Sequence, residues 1–217
     1  MRVNKFIASA TGLSRRAADL AISQHRVTIN GQAASLGANI HDGDTVLFNG
    51  RQLKLPAATQ TILLNKPTGY VCSRDGQGSS TIYELLPKEL HHLKSIGRLD
   101  KDSSGLILLT NDGTLAHHLA HPGSQKEKRY IATLNKPLQP ADKAAIEKGV
   151  KLMDGPSKLA LEATSKPQEW EVIMHEGRNR QVRRTFEARG YEVIGLKRTQ
   201  FGDYNLGQIG SKTYISL

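Results

Sequence analysis

Apolar residues at the start of the chain recur at helical intervals. They fall at Val3, Phe6, Ile7 and Ala10. This spacing predicts a first helix, with Asn4 as its N-cap. A second helix is predicted to begin at Ser14 and to run through SRRAADLAISQH, with a buried stripe formed by Leu13, Ala17, Leu20 and Ala21.

The period of the pattern changes to two after the second helix, where Val27 and Ile29 alternate with polar residues. Asn30-Gly31 is a strong signal for a tight hairpin. Gly43-Asp44 and Asn49-Gly50 predict further turns on either side of the segment TVLF. Two helices followed by short strands predict a small first domain over residues 1–55.

Residues 56–60 contain Pro56 and lack periodicity, which predicts a linker to a second domain at 61–217. Helices are predicted over 82–90 and over LAHHLA, PADKAAIEKG and NRQVRRTFEARG. Strands are predicted over TILLNKP, YVCS, GLILLT, KRYIATL, KLALEAT, EWEVIMH, YEVIGL and TYISL. Alternation such as that in KLALEAT favours antiparallel pairing. The fold class is therefore α+β, with a mixed, mainly antiparallel sheet flanked by helices.

The charge of the chain indicates a polyanionic partner. Lys and Arg number 30 against 20 Asp and Glu, for a net charge of +10. Residues 1–30 alone hold five basic residues and one acidic residue. Arg15 and Arg16 stand at the start of the second predicted helix, where backbone N–H groups already favour an anion. Nucleic acid is the expected partner.

The cysteine, the histidines and the lengths of the apolar runs exclude several kinds of site and of protein. Cys72 is the single cysteine, so neither a disulfide framework nor a zinc site with cysteine ligands is expected. His117 and His121 have the i, i+4 spacing of a metal pair, but with no acidic or cysteine partner nearby in the sequence they are expected, with His118, to face solvent or RNA. No run of about 18 apolar residues occurs. We expect a soluble, cytoplasmic protein, monomeric and without contact to a membrane.

The segment GRLDKDSSGLILLTNDG, residues 97–113, places an acidic residue just ahead of a strongly apolar strand. On residue type alone, Asp100 or Asp102 could simply cap a turn. The loop could equally hold Asp100 at the edge of a sheet, as a reactive group. The pattern leaves both interpretations open.

This segment resembles the catalytic loop of the pseudouridine synthases that modify ribosomal RNA of the small or large subunit. Three further pieces agree in order and spacing: NKPTGYVCS at 65–73, EKRY at 127–130, and EGRNRQVRRTFEARGYEVIGLKR at 176–198. The pieces GLSRR and RVTING within residues 1–55 resemble an S4 domain, an RNA-binding module. The resemblance spans the whole chain.

The resemblance implies that Asp100 acts at the ribose of a flipped uridine, either as nucleophile at C1′ or as base at C2′. It implies Tyr130 as a ring that stacks on the uracil, and Arg183 as the cation that opposes Asp100. Arg98 would fill the space that the flipped nucleotide vacates. The isomerisation requires neither a metal nor a cofactor.

Ribosomal RNA is the implied partner, with the large subunit favoured by EGRNRQVRR and FGDYNL. Two alternatives stay open, a non-catalytic ribosome assembly factor and an N-glycosidase that uses Asp100 and Asp102. For Asp102 the expectation is a dispensable carboxylate. Lys66 is expected to be either a scaffold residue or a phosphate contact. The expected RNA-binding residues, besides Arg98, are Arg15, Arg16, Arg26, Lys66, Arg180 and Arg184.

Overall fold

A computed structural model describes residues 1–55 and 58–217 of the chain. Pro56 and Ala57, in the predicted linker, lie outside the described residues. The N-terminal region, residues 1–55, begins with two helices, α1 (Val3–Thr11) and α2 (Arg15–Ser23). A four-stranded antiparallel sheet of order β2-β1-β3-β4 follows, formed by β1 (Val27–Ile29), β2 (Gln32–Ala33), β3 (Val46–Phe48) and β4 (Arg51–Gln52).

The predicted cap of α2 is confirmed, because the Ser14 hydroxyl accepts a hydrogen bond from the backbone N–H of Ala17 at 3.0 Å. The predicted cap of α1 is wrong. That helix begins at Val3 with Arg2 as its N-cap, which places Asn4 inside the first turn. The Asn4 amide instead donates to the Asp19 carboxylate at 2.9 Å and so joins the two helices.

The buried stripe of α2 lies one position further round than predicted. Ala18, Ala21 and Ile22 are buried, whereas Leu20 is 58% exposed. These three side chains join an apolar core that belongs to the N-terminal region alone. Its other buried members are Val3, Ile7, Val27, Ala34, Ile40 and Val46.

The predicted turn between β1 and β2 is confirmed by its backbone. Asn30 and Gly31 have φ angles of 51° and 84°. Both are left-handed, as a two-residue hairpin whose twist matches its strands requires. The same pair of residue types, Asn49 and Gly50, makes the turn between β3 and β4 with φ angles of 50° and 75°.

Residues 58–217 form a large sheet with three helices and a separate two-stranded hairpin. The helices are α3 (Gly113–Ala120), α4 (Pro140–Lys148) and α5 (Gln181–Glu187). The strands are β5 (Thr61–Lys66), β6 (Lys94–Ile96), β7 (Ser104–Thr110), β8 (Lys128–Leu134), β9 (Val150–Leu152), β10 (Gly155–Ser157), β11 (Ala160–Ala163), β12 (Glu169–Met174), β13 (Val193–Phe201), β14 (Tyr204–Asn205) and β15 (Tyr214–Ser216).

The main path of the sheet runs β11-β12-β8-β13-β7-β5-β15, with β14 paired to β13 and β6 paired to β7. Only the β13–β7 pair among the described strands is parallel. The predicted α+β class with a mixed, mainly antiparallel sheet is thereby confirmed. Where β7 meets β13, Gly105 has a φ of 100°, and a Cβ there would overlap the carbonyl oxygen of Arg198.

Both faces of this sheet are covered, which explains the nearly unbroken apolar runs TILL and GLILL. Ile62 and Leu64 of β5 face the larger apolar cluster, together with Phe186 of α5. Leu63 faces a second cluster on the opposite side, with Leu119 of α3. No helix among residues 1–55 and 58–217 has the length and hydropathy to span a bilayer.

Three predicted elements differ from the structure. The segment YVCS is no strand, because it makes only an isolated bridge between Val71 and Thr81. The helix expected over 82–90 is two short 3-10 helices, Ile82–Leu85 and Lys88–Leu90, interrupted by Pro87. β13 continues beyond the predicted YEVIGL to Phe201 through a bulge near Thr199, and the β9–β10 hairpin was not predicted.

Candidate active site

A cavity of about 500 Å³ opens at one end of the large sheet. Its wall is formed by the Asp100 loop, residues 97–103, which connects β6 to β7. Strands β8 and β13 supply the floor, and the first turn of α5 supplies the opposite wall. Asp100 faces this cavity with its side chain 31% exposed.

The backbone of the Asp100 loop is anchored at three points by the segment 65–73. The Lys66 ammonium donates to the carbonyl oxygen of Ser103 at 2.6 Å. The Gly69 N–H donates to the Lys101 carbonyl at 2.7 Å, and the Leu99 N–H donates to the Cys72 sulfur at 3.3 Å. The motif NKPTGYVCS therefore fixes the position of the carboxylate.

Lys66 is fully buried, with 0% of its surface exposed, so the predicted contact with an RNA phosphate is wrong. Its ammonium donates to the carbonyl oxygens of Pro67 and Ser103. Burial lowers the pKa of Lys66, although the carboxylates of Asp100 and Asp102 act in the opposite direction. The alternative of a scaffold residue fits the structure.

Cys72 lies buried in the larger apolar cluster. Its thiol also donates to the carbonyl oxygen of Leu99 at 3.4 Å. Burial raises the pKa of this thiol, so it stays neutral. Cys72 therefore makes two hydrogen bonds to Leu99, the residue that precedes Asp100.

Asp102 binds two arginines of the α5 segment. Arg180 makes two parallel hydrogen bonds to its carboxylate at 2.9 and 3.0 Å. Arg183 donates to its carbonyl oxygen at 2.9 Å, and the Arg183 Nε lies 3.3 Å from the carboxylate. The hydrogen bonds from Arg180, and next the charge of Arg183, lower the pKa of Asp102.

The expected direct pairing of Arg183 with Asp100 is not what the structure shows. Among the described residues, the cation within 4 Å of the Asp100 carboxylate is Arg180, at 3.7 Å. Arg183 is directed away because its guanidinium also donates to the carbonyl oxygen of Val193 at the start of β13. Its part in the reaction remains a prediction.

The remaining arginines of this segment are also paired. Arg184 makes two hydrogen bonds to the Asp154 carboxylate, at 2.9 and 2.8 Å, and Arg178 makes a third at 3.0 Å. Arg180 and Arg184 were predicted to bind RNA. Each has a carboxylate partner in the protein, and its contact with RNA stays a prediction.

Tyr130 and Arg98 both line the cavity. Tyr130, in β8, is 8% exposed and stands opposite Arg198 in the β8–β13 pairing. Arg98 is exposed at the mouth of the cavity, two residues before Asp100. The structure thus brings Asp100, Tyr130 and Arg98 together, while their individual roles stay predictions.

The arginines of the N-terminal region lie on its surface. Arg15 and Arg16 are exposed at the first turn of α2, with no ion pair to any residue among 1–55 and 58–217. Arg26 is exposed too, but its guanidinium lies 5.1 Å from the Phe48 ring centre and donates to Asn49 at 2.9 Å. All three are accessible to a polyanion.

His117 and His121 pack edge to face, with ring centres 5.0 Å apart. Over residues 1–55 and 58–217, no group of three or more histidine, cysteine, aspartate or glutamate side chains is arranged to hold a metal ion.

Sequence reasoning missed Lys128 and Arg198, which also line the cavity. Arg198 is 2% exposed. A usable signal for it exists in the sequence, because Arg198 follows the buried Leu196 by two residues in an alternating stretch.

The cavity thus brings the Asp100 carboxylate together with the aromatic rings of Tyr130 and Phe201 and with several cations, among them Arg98, Lys128 and Arg198. The comparison with family models is specific: the model described as RNA pseudouridylate synthase matches residues 60–188. The chain belongs to this family of pseudouridine synthases.

Relatives act, by name, on both ribosomal subunits. The ribosomal small subunit pseudouridine synthase A of Pasteurella multocida is 37% identical over 95% of this chain and 90% of its own length. The ribosomal large subunit pseudouridine synthase B of Xylella fastidiosa is also 37% identical over 93% of this chain, which spans only 45% of that longer protein. A crystal structure of a pseudouridylate synthase, 37% identical, superposes with a TM-score of 0.72 over 100% of this chain and 96% of that one.

Proposed function

We propose that this protein converts a specific uridine of ribosomal RNA to pseudouridine, with Asp100 as the essential carboxylate. The observation that carries the proposal is the placement of Asp100. Three backbone anchors hold its loop rigid, and its side chain faces a cavity that also presents an aromatic ring. Such fixed positioning is what a reaction at the ribose requires.

Tyr130 and Arg98 complete the proposed site. The Tyr130 ring lies at the cavity floor, where it can stack on a flipped uracil. Arg98 stands exposed at the mouth, where a flat guanidinium can stack in the gap left in the RNA. Arg183 is proposed to act indirectly, because it holds the backbone and carboxylate of Asp102, two residues after Asp100.

The N-terminal region is proposed to be an S4-like RNA-binding module, with residues 61–217 as the catalytic domain. Support comes from its separate apolar core and from the exposed Arg15 and Arg16 at the N-terminus of α2. Arg26 adds a third exposed cation next to the β3–β4 turn. Its task would be to position the RNA rather than to take part in the reaction.

The experiment that tests the function is pseudouridine mapping of both ribosomal RNAs from a strain that lacks this protein. We expect one uridine to remain unmodified, with modification restored by the wild-type protein and not by Asp100→Asn. The large-subunit RNA is the proposed substrate, on the segments EGRNRQVRR and FGDYNL. A full set of pseudouridines in both RNAs of the deletion strain would refute the proposal.

A second measurement separates isomerisation from the N-glycosidase alternative, and the mapping experiment separates it from the non-catalytic alternative. Isomerisation leaves the mass of the RNA unchanged, whereas an N-glycosidase removes the mass of a uracil. Intact-mass measurement of treated RNA therefore separates the two reactions. A non-catalytic assembly factor would leave both the mass of the RNA and the uridine unchanged.

The protein is also proposed to be a monomer. Size-exclusion chromatography with light scattering of the same preparation tests this.

A further inference from the structure

The floor of the cavity holds two cations that have no carboxylate partner within ion-pair distance among the described residues. Arg198 of β13 and Lys128 of β8 both lie against one aromatic ring. The Arg198 guanidinium is 5.0 Å and the Lys128 ammonium 5.4 Å from the centre of the Phe201 ring. All three residues line the cavity that Asp100 faces.

Strand register explains why these groups meet. In the antiparallel β8–β13 pairing, Arg198 stands opposite Tyr130, and Phe201 stands opposite Lys128. Directly opposed residues share one face of a sheet. The bulge after Arg198 sets this register, because it brings Phe201 to the same face as Arg198.

Arg198 retains unused hydrogen-bond donors. It is 2% exposed, its Nε donates to the carbonyl oxygen of Leu106 at 2.7 Å, and its buried Nη2 has no partner among the described residues. A buried, unpartnered guanidinium nitrogen is costly to the fold. The bond to Leu106 and the contact with the Phe201 ring therefore account for only part of this guanidinium.

Lys128 is held loosely by comparison. Its ammonium has three long contacts of 3.3 to 3.4 Å, to the carbonyl oxygens of Lys126, His175 and Glu176. Burial and then the nearby charge of Arg198 lower its pKa, against a smaller opposing effect of the Glu176 carboxylate. The two cations repel each other, and a negative charge between them would relieve that repulsion.

We propose that Arg198, with Lys128 beside it, binds a carbonyl oxygen of the target uracil and stabilises the negative charge that this base acquires during the reaction. The proposal rests on the proposed function. It assigns to Arg198 a catalytic role, because its guanidinium would touch the reacting base.

The chemistry supplies that charge by either route at Asp100. When the C1′–N1 bond breaks, its electron pair stays with the base, and the negative charge is shared by N1, O2 and O4. The base then rotates and bonds to C1′ through C5. In the first route the Asp100–C1′ ester bond breaks and releases the carboxylate, and in the second route Asp100 returns its proton to C2′. The base finally loses the C5 proton to solvent and takes up a proton at N1. Atoms and charge balance, and the anionic base exists whether Asp100 attacks C1′ or removes a proton from C2′.

A carbonyl oxygen suits this position better than a phosphate does. A phosphodiester continues into the chain on both sides, so it cannot reach a nearly inaccessible guanidinium at the floor of a cavity. A base carbonyl is a terminal acceptor. A uracil placed on Tyr130 would also have its edge beside Arg198, since the two residues are cross-strand partners.

The test measures single-turnover rates on RNA whose target position is uridine, 2-thiouridine or 4-thiouridine, with product nucleosides identified by mass spectrometry. Sulfur is a weaker hydrogen-bond acceptor than oxygen, so one thio substitution should slow the wild-type protein. On RNA with uridine at the target position, Arg198→Met should lower the single-turnover rate by about 10²-fold or more, the size of the loss when an oxyanion-hole donor is removed. The rate of Arg198→Met should be the same on uridine and on the thiouridine that slows the wild-type protein.

Other outcomes would overturn the proposal. One is an equal thio effect in Arg198→Met and wild type, which indicates a structural role. Another is a wild-type rate that neither thio substitution changes. This result does not depend on whether any variant folds. A third is weaker RNA binding with a smaller salt slope and an unchanged rate, which indicates a phosphate contact.

Two matched variants guard the interpretation. Lys197→Met removes the same charge from the neighbouring, exposed position and should keep a rate near wild type. If Arg198→Met does not fold, Arg198→Lys and Lys128→Met take its place, each with a reduced rate and a reduced thio effect. A wild-type protein inactive on uridine would refute the proposed function instead, so the two failures are distinguishable.

Discussion

The arginines of the N-terminal region and those around α5 differ in whether a carboxylate of the protein pairs with them. Arg15 and Arg16 are exposed at the first turn of α2 and have no ion pair among the described residues. Five arginines near α5 bind carboxylates of the protein itself, at Asp102, Asp154 and Asp142; they are Arg178, Arg180, Arg183, Arg184 and Arg189.

This difference separates two uses of a basic residue. The net charge of +10 counts both groups alike. Surface cations without partners can release counterions from RNA, whereas paired cations fix loops and give little further electrostatic attraction. The N-terminal region should therefore control affinity, and the pairs that Arg180 and Arg183 make with Asp102 should control the geometry of the site.

The largest effect is expected at Asp100, the cavity carboxylate that has only a distant arginine, 3.7 Å away. Asp100→Asn should lower the single-turnover rate by at least about 10³-fold, because an amide can neither attack C1′ nor remove a proton from C2′. RNA affinity should be equal or slightly higher. Asp75→Asn, at an exposed loop position, is the control and should keep the wild-type rate.

The second effect concerns Asp102, for which the sequence alone suggested a dispensable carboxylate. Its bonds to Arg180 and Arg183 lead to a different expectation. Asp102→Asn should slow the single-turnover rate by about 10- to 100-fold, because a neutral amide loses the charge-assisted pair. RNA affinity should change little.

A double variant tests whether Asp102 and Arg183 act as one unit. Arg183→Met should also slow the chemical step without weakening RNA binding. The combination of the two substitutions should then be no slower than the slower single variant. Fully multiplicative losses would show that the two residues act independently, and a wild-type rate in Asp102→Asn would contradict the assignment of the network.

Local sequence signals predicted much of the fold. The Ser14 cap, the Asn30-Gly31 turn and the alternating strands of the sheet all depend on residues that are close together in the sequence. The S-R-R and G-R-L-D motifs located the candidate surfaces. Errors occurred where distant residues decide, as for YVCS, which is held by sulfur and backbone contacts to the Asp100 loop rather than by strand pairing.

The partners of charged residues were the least predictable part of the site. Arg180 and Asp102 are 78 residues apart along the chain, and Arg184 and Asp154 are 30 apart. No local pattern specifies which carboxylate a guanidinium will meet. Arg183 and Lys66 were misplaced for the same reason, since each bonds to backbone groups supplied by another strand or loop.

A third, smaller effect is expected at Lys66, which tests its correction from RNA contact to loop anchor. Lys66→Met leaves the Ser103 carbonyl without its buried donor and should slow the single-turnover rate roughly tenfold. The RNA dissociation constant and its salt dependence should match those of the wild-type protein. A reduced salt slope would show instead that the ammonium reaches a phosphate, and would require the loop region to open on binding.

The smallest effect on rate, and the sharpest test of the comparison, comes from removing one cation of each kind. Arg15→Gln and Arg16→Gln should each reduce the slope of log K against log salt by about 0.7 to 0.9. Arg184→Gln, which removes the same charge from an ion pair, should leave that slope nearly unchanged. All three variants should keep the wild-type single-turnover rate when the enzyme is saturating. Equal slope changes at the three positions would mean that the Asp154 pair opens on RNA, and that pairing in the free protein does not distinguish the two groups of arginines.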